Sequence, residues 1–405
     1  MNYIVFEDLK SNNLKPFSLN HASFEMRCGI YSNIDRVSRL LYPEDKLYLI
    51  VRNELEEIIR EKFSHAIINP KIIPPGLFLN GATVWSNDLV AQFGIDKSYS
   101  NNGSLIAINK STSTEFDDFY KLLESSIQVT LDIDVIHINY IWDLIFNILP
   151  IFKNDLQSSS SFLPISSIDT NSNYLDKFHQ SVIVNNPADV FINQNIDVGA
   201  GVILDASEGP ILIDEYSSID IGALIKGPVY IGQKSIINPG SRLRGNVSIG
   251  PVCKIGGEIE DVVIQGYTNK QHDGYLGHSF LGEWINLGAN TTNSDLKNNY
   301  SNIRMKISKD IEINTLKQFL GVCIGDYTRT GISTMLNSGT VTGLGANVFG
   351  SGFQDKYIES FQWGKDDKTD FEKFIETCIK MKERRNLRLS KTEIKLLKNI
   401  YQSVD

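Results

Sequence analysis

Residues 211–256 read ILIDEYSSIDIGALIKGPVYIGQKSIINPGSRLRGNVSIGPVCKIG, and every sixth residue from Ile213 to Ile255 is a branched aliphatic. The positions are Ile213, Ile219, Ile225, Ile231, Ile237, Leu243, Ile249 and Ile255. A strand repeats every two residues and a helix every 3.6, so a strict period of six fits neither. It fits a parallel β-helix, whose short flat faces each turn one aliphatic inward. Gly222, Gly232, Gly250 and Gly256 directly follow an isoleucine, where the chain must bend from one face to the next. The ruler breaks at Asp261, and six-residue spacing returns at Leu281, Leu287, Ile324, Thr330 and Leu336. Insertions on a repeat scaffold tend to fall on one face, often the binding face, so residues 260–280 and 291–318 are the places to look for chemistry.

The solenoid fills only the later half of the 405 residues. Upstream, residues 1–155 alternate strand-like stretches (Tyr3–Phe6, Leu47–Val51, Ala66–Ile68, Ser104–Ile108) with helical patterns near 29–41 and 54–63. This alternation predicts an α/β layer with a largely parallel sheet. Ile141, Leu144, Ile145, Ile148 and Ile151 have helical spacing and close the unit. A serine run at Ser158–Ser161, followed by Ser166 and Ser167, reads as a linker or surface loop. The expected division is 1–160 for the α/β domain, 161–185 for a linker, 186–364 for the β-helix and 365–405 for terminal helices. Those helices would cap the open end of the solenoid, or else make trimer contacts or close over a ligand.

A formal net charge of −9 argues against a nonspecific nucleic-acid binder, which needs a basic face. Cys28, Cys253, Cys323 and Cys378 are scattered without a CxxC pair, which points to reduced structural thiols rather than zinc or disulfides. The N-terminus MNYIVFEDLK lacks a signal peptide's basic and apolar regions, and no apolar run reaches 18 residues. The expected location is the cytoplasm, away from membranes.

The densest chemical segment is NKQHDGYLGHSFLGEWINLGANTTNSDLKNNY, residues 269–300. His272 and His278 stand six residues apart, one solenoid step, and an imidazole can deprotonate an amine or hydroxyl attacking a thioester. The segment resembles the acetyltransferase part of the bifunctional uridylyltransferase and acetyltransferase that makes UDP-N-acetylglucosamine in bacteria, and its archaeal relatives. That family's motif maps without gaps onto His272, Tyr275, Leu276-Gly277, Leu281-Gly282 and Asn286-Leu287-Gly288-Ala289-Asn290-Thr291. The resemblance implies that His272 is the general base, that Tyr275 and Asn286 line the sugar-phosphate site, and that Ala289 and Arg329 meet acetyl-CoA. His278 falls where those relatives often carry Asp, as a second-shell partner or an alternative base. The family's base-orienting Asn falls at Asp295, and its upstream lysine falls near Glu260. Arg242 and Arg244 could supply the phosphate contact in that lysine's place, or could belong to a solvated outer face.

The whole chain is similar to a divergent bacterial GlmU-like branch described as sugar nucleotidyltransferases. Matching stretches are YIVFEDLKSNNLKPFSLNHASFEMRCGI at the start, YIWDL at 140–144, and IGPVCKIGGEIEDVVIQGYTNKQHDGYLGHSFLGEW and GTVTGLGANVFGSGFQDKYIESFQWG later. The resemblance implies an α/β nucleotidyltransferase-like domain, a left-handed parallel β-helix of hexapeptide repeats, and a homotrimer. It also departs from the family. Sugar nucleotidyltransferases follow the first strand with a glycine-rich loop that cradles a triphosphate, whereas here Glu7, Asp8, Leu9 and Lys10 follow it, with no glycine until Gly29. Lys15 and Arg27 are the nearest phosphate candidates, with a structural salt bridge as the alternative for Arg27. Asp132 and Asp134, in VTLDIDVIHINY, have the spacing to share a strand face and hold Mg2+ with a nucleoside triphosphate; Asp8 is a similar candidate.

Three functions follow from this reading. One is acetyl transfer from acetyl-CoA to an amino-sugar 1-phosphate at the β-helix, with nucleotidyl transfer at the N-terminal domain. The second is nucleotidyl transfer alone, with the β-helix as a trimerisation module. The third is a non-catalytic sugar-nucleotide binding protein.

Overall fold

The computed structural model describes residues 1–126, 128–130, 135–159, 166–168 and 178–404. Seven strands form the N-terminal sheet: β1 (Asn2–Phe6), β2 (Lys46–Ile50), β3 (Ile67–Ile68), β4 (Gly76–Asn80), β5 (Lys97–Asn101), β6 (Ser104–Lys110) and β7 (Gln128–Thr130). Their spatial order is β7-β5-β6-β4-β1-β2-β3. Ile4, Val5 and Phe6 of β1 are fully buried, as expected of a central strand with parallel neighbours and cover on both faces. The expectation of a largely parallel sheet needs one amendment, since β6 runs antiparallel to both β4 and β5. Helices α1 (Asn33–Ser38) and α2 (Glu56–Lys62) flank the sheet. The single helix foreseen over 139–154 is two, α3 (Asp143–Phe146) and α4 (Ile148–Ser159).

The six-residue ruler becomes a three-faced parallel β-helix with eighteen residues to the coil. On face 1, Ile213 pairs with Ile231 and Ile231 with Ile249; on face 2, Ile219 pairs with Ile237 and Ile237 with Ile255; on face 3, Ile225 pairs with Leu243. All eight side chains point inward and are essentially inaccessible to solvent. Burial of each such side chain is worth about 2 kcal/mol, so the aliphatic column is the solenoid's main source of stability.

The break at Asp261 is a shortened coil. Ile249 stacks on Ile264 and Leu243 on Ile259, so the spacing contracts between 255 and 264. Six-residue steps then resume through Lys270 and Leu276, carried by the long strands β8 (Glu258–Gly266) and β9 (Tyr275–Glu283), which each turn a corner. Left-handed backbone recurs at the corners. Asn246, Asp261 and His278 mark the corner between faces 3 and 1, and Val252, Tyr267, Trp284 and Tyr327 the corner between faces 1 and 2.

The outward side of face 1 is apolar and covered. Leu212 and Tyr230 pack with Ile30 and Phe152, while Val263, Phe280, Cys323 and Val341 pack with Leu14, Phe17 and the apolar side of α3 and α4. Polar locks fix the docking: the Arg27 backbone makes two 2.8 Å hydrogen bonds to the Gln265 side chain, and the Gly29 N–H donates to Ser248 Oγ. Behind them Arg36 and Asp155, both buried, form a bidentate pair whose carboxylate also accepts the Ile30 N–H. Helices α5 (Phe371–Glu383) and α6 (Lys391–Gln402) lie along the aromatic corner as well as on the last coil. Phe374 meets Tyr327 and Phe361, and Lys395 of α6 reaches Glu57 of α2. No helix among the described residues is long and apolar enough to cross a membrane. Cys28, Cys253, Cys323 and Cys378 are free, buried thiols.

Candidate active sites

One connected group of titratable side chains sits at the corner between faces 3 and 1. His278, in left-handed backbone, places Nδ1 2.8 Å from Asp295 Oδ2 and Nε2 3.5 Å from Asp261 Oδ2. Tyr275 Oη donates to the same Asp295 oxygen at 2.8 Å. Asp295 arrives from the 294–320 insertion, which leaves face 3 after Thr292–Asn293 and brings Phe319 back onto the His278 ring at 5.3 Å. Phe146 of α3 closes the other side at 6.5 Å. The N-terminal domain, the solenoid corner and the insertion therefore all contribute to one site.

Its electrostatics follow from that packing. Burial pulls the His278 pKa down, but the hydrogen bond its Nδ1–H donates to Asp295 and the charges of Asp261, Asp295 and Glu260 outweigh it, and the net direction is up. Burial would raise the Asp295 carboxyl, yet the hydrogen bonds from His278 and Tyr275 hold it below its usual range. Burial raises Asp261, with the His278 charge opposing. An imidazole fixed at Nδ1 by one carboxylate, with a second carboxylate, Asp261, 3.5 Å from Nε2, has the elements of a base and its orienting group.

His272 is placed differently. Its side chain is exposed at the corner between faces 2 and 3, with no side-chain hydrogen bond among the described residues. What is ordered there is the backbone: Lys270 Nζ donates to the carbonyls of His272 and, at 3.0 Å, of Gly256. Lys270 occupies an inward ruler position between Ile255 and Leu287 and is 1% exposed. Sequence reasoning passed over it because a lysine there does not look like a solenoid residue.

Arg242 and Arg244 are each about half exposed on face 3 and are paired with acids. Arg244 meets Glu258 at 2.7 Å and Glu260 at 3.3 Å, and Arg242 meets Glu258 at 3.5 Å. Glu260 is therefore neutralised by its neighbour, and the two arginines stand on the face that carries Tyr275. Asn286 lies on face 2, bridged to Asn269 and Arg329, away from the His278 cluster; Ala289 follows it at the next corner.

In the N-terminal domain the carboxyl ends of β1 and β4 gather Asp8, Lys10, Asn80, Thr83, Ser104, His137 and Asn139. Asn80 Nδ2 donates to Asp8 Oδ2 at 2.9 Å, Lys10 Nζ to Ser104 Oγ at 2.9 Å, and Thr83 Oγ1 lies 2.8 Å from His137 Nδ1. Burial lowers the His137 pKa to about 4, keeping it neutral. Such strand ends are where open α/β sheets bind ligands. The two basic residues expected to hold phosphates are elsewhere. Arg27 donates to the Ile30 carbonyl and pairs with Asp35 at 3.3 Å, which is the structural salt-bridge alternative. Lys15 lines a separate cleft with Lys309, Asp310 and Glu359. Asp132 and Asp134 lie outside the described residues. Among the described residues the strand ends offer Asp8 as a carboxylate ligand, the neighbouring Glu7 being paired with Arg52. The three-ligand group is instead His21, Glu283 and Asp326, at the domain junction.

Residues 3–161 match the family model for sugar nucleotidyl transferases. The bifunctional protein GlmU of Methanococcus vannielii is 31% identical over 112 residues, 27% of either chain. A bifunctional sugar-1-phosphate nucleotidylyltransferase/acetyltransferase of Sulfurisphaera tokodaii is 30% identical over 98 residues, 24% of either chain. The chain thus spans about a quarter of the length of these curated relatives. A solved structure, a point mutant of the N-acyltransferase AntD from Bacillus cereus with dTDP-4-amino-4,6-dideoxyglucose and coenzyme A, aligns to 55% of this chain and 99% of its own at 12% identity and a TM-score of 0.19. Residues 3–161 are thus similar to sugar nucleotidyl transferases, and about a quarter of the chain is similar to bifunctional GlmU-type proteins.

Proposed function

We propose that the protein is a transferase of nucleotide-sugar synthesis that acylates an amino-sugar 1-phosphate at the solenoid, with His278 as the base and Asp295 as its orienting carboxylate. The observation that carries the reading is the 2.8 Å contact between His278 Nδ1 and Asp295 Oδ2 inside a site walled by Phe146 and Phe319. In the reaction His278 Nε2 takes a proton from the sugar amine as its nitrogen attacks the thioester carbonyl of acetyl-CoA, and the C–S bond breaks to release CoA thiolate, which takes that proton back from the imidazolium. Tyr275 is tied to Asp295 and lines the acceptor side, with Arg244 beside it for the phosphate.

His272 as the base is favoured by the resemblance and by one observation: its loop is held by Lys270 rather than left loose. In that case a second chain would complete the site. Ile221, Leu224, Ile332, Phe349 and Phe353 are exposed along the same edge of the solenoid as His272, while face 1 is already covered. These exposed apolar side chains support a homotrimer joined along that edge, in a protein placed by this reading in the cytoplasm. Ala289 and Arg329, on the coil leading to that edge, would then meet the acetyl-CoA. Nucleotidyl transfer to a sugar 1-phosphate is assigned to the strand-end group around Asp8, Lys10 and His137.

The experiment supplies glucosamine-1-phosphate and acetyl-CoA to the wild type, His278→Ala and His272→Ala, reading free thiol and product mass. Loss of thiol release with His278→Ala alone supports the assignment; loss with His272→Ala alone moves the base to the trimer edge. No release from the wild type, with pyrophosphate still formed from UTP and sugar 1-phosphate, confines the activity to the N-terminal domain.

A further inference from the structure

Most buried cations in this chain have partners. Arg36 is matched to Asp155, and Arg52 to Glu7. Arg329 is the exception: its Nε is buried with no hydrogen-bond partner, and no carboxylate pairs with it among the described residues. It lines a cavity of about 260 Å³ between face 2 and the end of α5, together with Asn269, Asn286, Trp284, Arg384 and Arg385. Among the described residues no Asp or Glu lines that cavity. Arg385 Nη2 donates to Asn269 Oδ1 at 3.1 Å, whose amide in turn reaches Asn286 Oδ1 at 3.3 Å, so the polar wall is fixed in place. Arg384 and Arg385 also suit the negative end of the α5 dipole. Arg329, on a solenoid strand, has no such compensation, and burial depresses its pKa. An uncompensated guanidinium facing two more across an acid-free cavity favours an anion of high charge density.

We infer that this cavity is a phosphate site, taking the phosphate or diphosphate group of a ligand with Arg329 as the enclosed anchor and Arg384 and Arg385 closing from the helix end. Two sources carry that chemistry: coenzyme A and a nucleoside diphosphate. The inference deepens the acetyl-CoA contact proposed above for Arg329 and rests on that reading for its coenzyme A arm, but it is independent of His278 as the base, since the cavity lies on face 2 and the His278 cluster at the corner of faces 3 and 1.

Calorimetry on the full chain at low salt with pyrophosphate, coenzyme A, dephospho-coenzyme A and UDP tests it. The expected result is binding of at least one of these, weakened about ten-fold by Arg329→Gln, the loss of one charge-assisted contact, less so by Arg384→Ala, and unchanged by His278→Ala. Tightest binding of coenzyme A, lost in its dephospho form, identifies the acyl donor; tightest binding of UDP identifies a nucleotide; equal binding of pyrophosphate shows that the anion alone is read. Each of these supports the site. Absence of binding to all four, or affinities equal in the wild type and Arg384→Ala, overturns it; Arg384 is exposed at the mouth, so that variant remains decisive if Arg329→Gln fails to fold. Abolished thiol release in His278→Ala with anion binding retained separates this inference from the acyl-transfer reading.

Discussion

Replacing Lys270 with Met probes a charge placed inside a column of aliphatics. Burial lowers the Lys270 pKa from 10.5 to about 8, with Asp273 the one charge opposing it. A depression of that size corresponds to about 3 kcal/mol of penalty on the charged form. The penalty is fully present below pH 8 and is relieved as pH rises from about 8 toward 10.5, because over that window the unfolded chain holds the proton that the folded chain has released. Against it stand the hydrogen bonds to the carbonyls of Gly256 and His272, worth about 1 kcal/mol each. Methionine keeps the volume, removes the charge and loses both bonds, so Lys270→Met is expected to be about 1 kcal/mol more stable than the wild type at pH 7.

The comparison to make is thermal or urea unfolding of the two proteins from pH 7 to pH 10. The wild type should gain on the variant across that range, so that the difference shrinks to zero and reverses by roughly 2 kcal/mol, the two lost hydrogen bonds. In 405 residues unfolding as one unit, each kcal/mol moves Tm by only about 1 °C, so urea midpoints are the better readout. A difference independent of pH would refute the reasoning, as would a wild type that weakens relative to Lys270→Met between pH 8 and 10. A retained fold with lost thiol release would add that Lys270 positions the His272 loop.

Three further outcomes follow. Asp295→Asn removes the main group that raises the His278 pKa; kcat/KM should fall by about 10²-fold, and the acidic limb of its pH profile should move to lower pH. Asp155→Asn leaves Arg36 buried beside an amide and should cost about 3–5 kcal/mol, read as a lowered urea midpoint. At the domain junction, Asp326 and Glu25 raise the His21 pKa to about 10 against burial. That stabilisation is complete below His21's ordinary value near 6.5 and is lost as pH rises through 10. Limited proteolysis between the domains should therefore accelerate progressively from about pH 7 to pH 10, and Asp326→Asn should weaken that dependence.

How much of this was legible in the sequence depended on whether a residue's job is local. The inward column from Ile213 to Ile255 announces itself because one side chain per face has one task. The same column continues through Ile264, Lys270 and Leu276, yet two shortened steps and one lysine hid it. His278, Asp295 and Tyr275 were visible as candidates, since the motif is contiguous. Asp261 and Phe146 were not, because they join the site through the corner stacking of β8 on β9 and through the docking of α3 on face 1, contacts that no local spacing encodes. Arg27 shows the converse. A basic residue soon after the first strand suggests a phosphate, but its backbone is spent on Gln265 and its side chain on Asp35, 238 and eight residues away. The acid-free surroundings of Arg329 are likewise a tertiary fact, set by which residues of α5 and its end come to lie over face 2. Charge partners at long sequence separation decide whether a cation here is structural or waiting for a ligand, and only the folded chain pairs them.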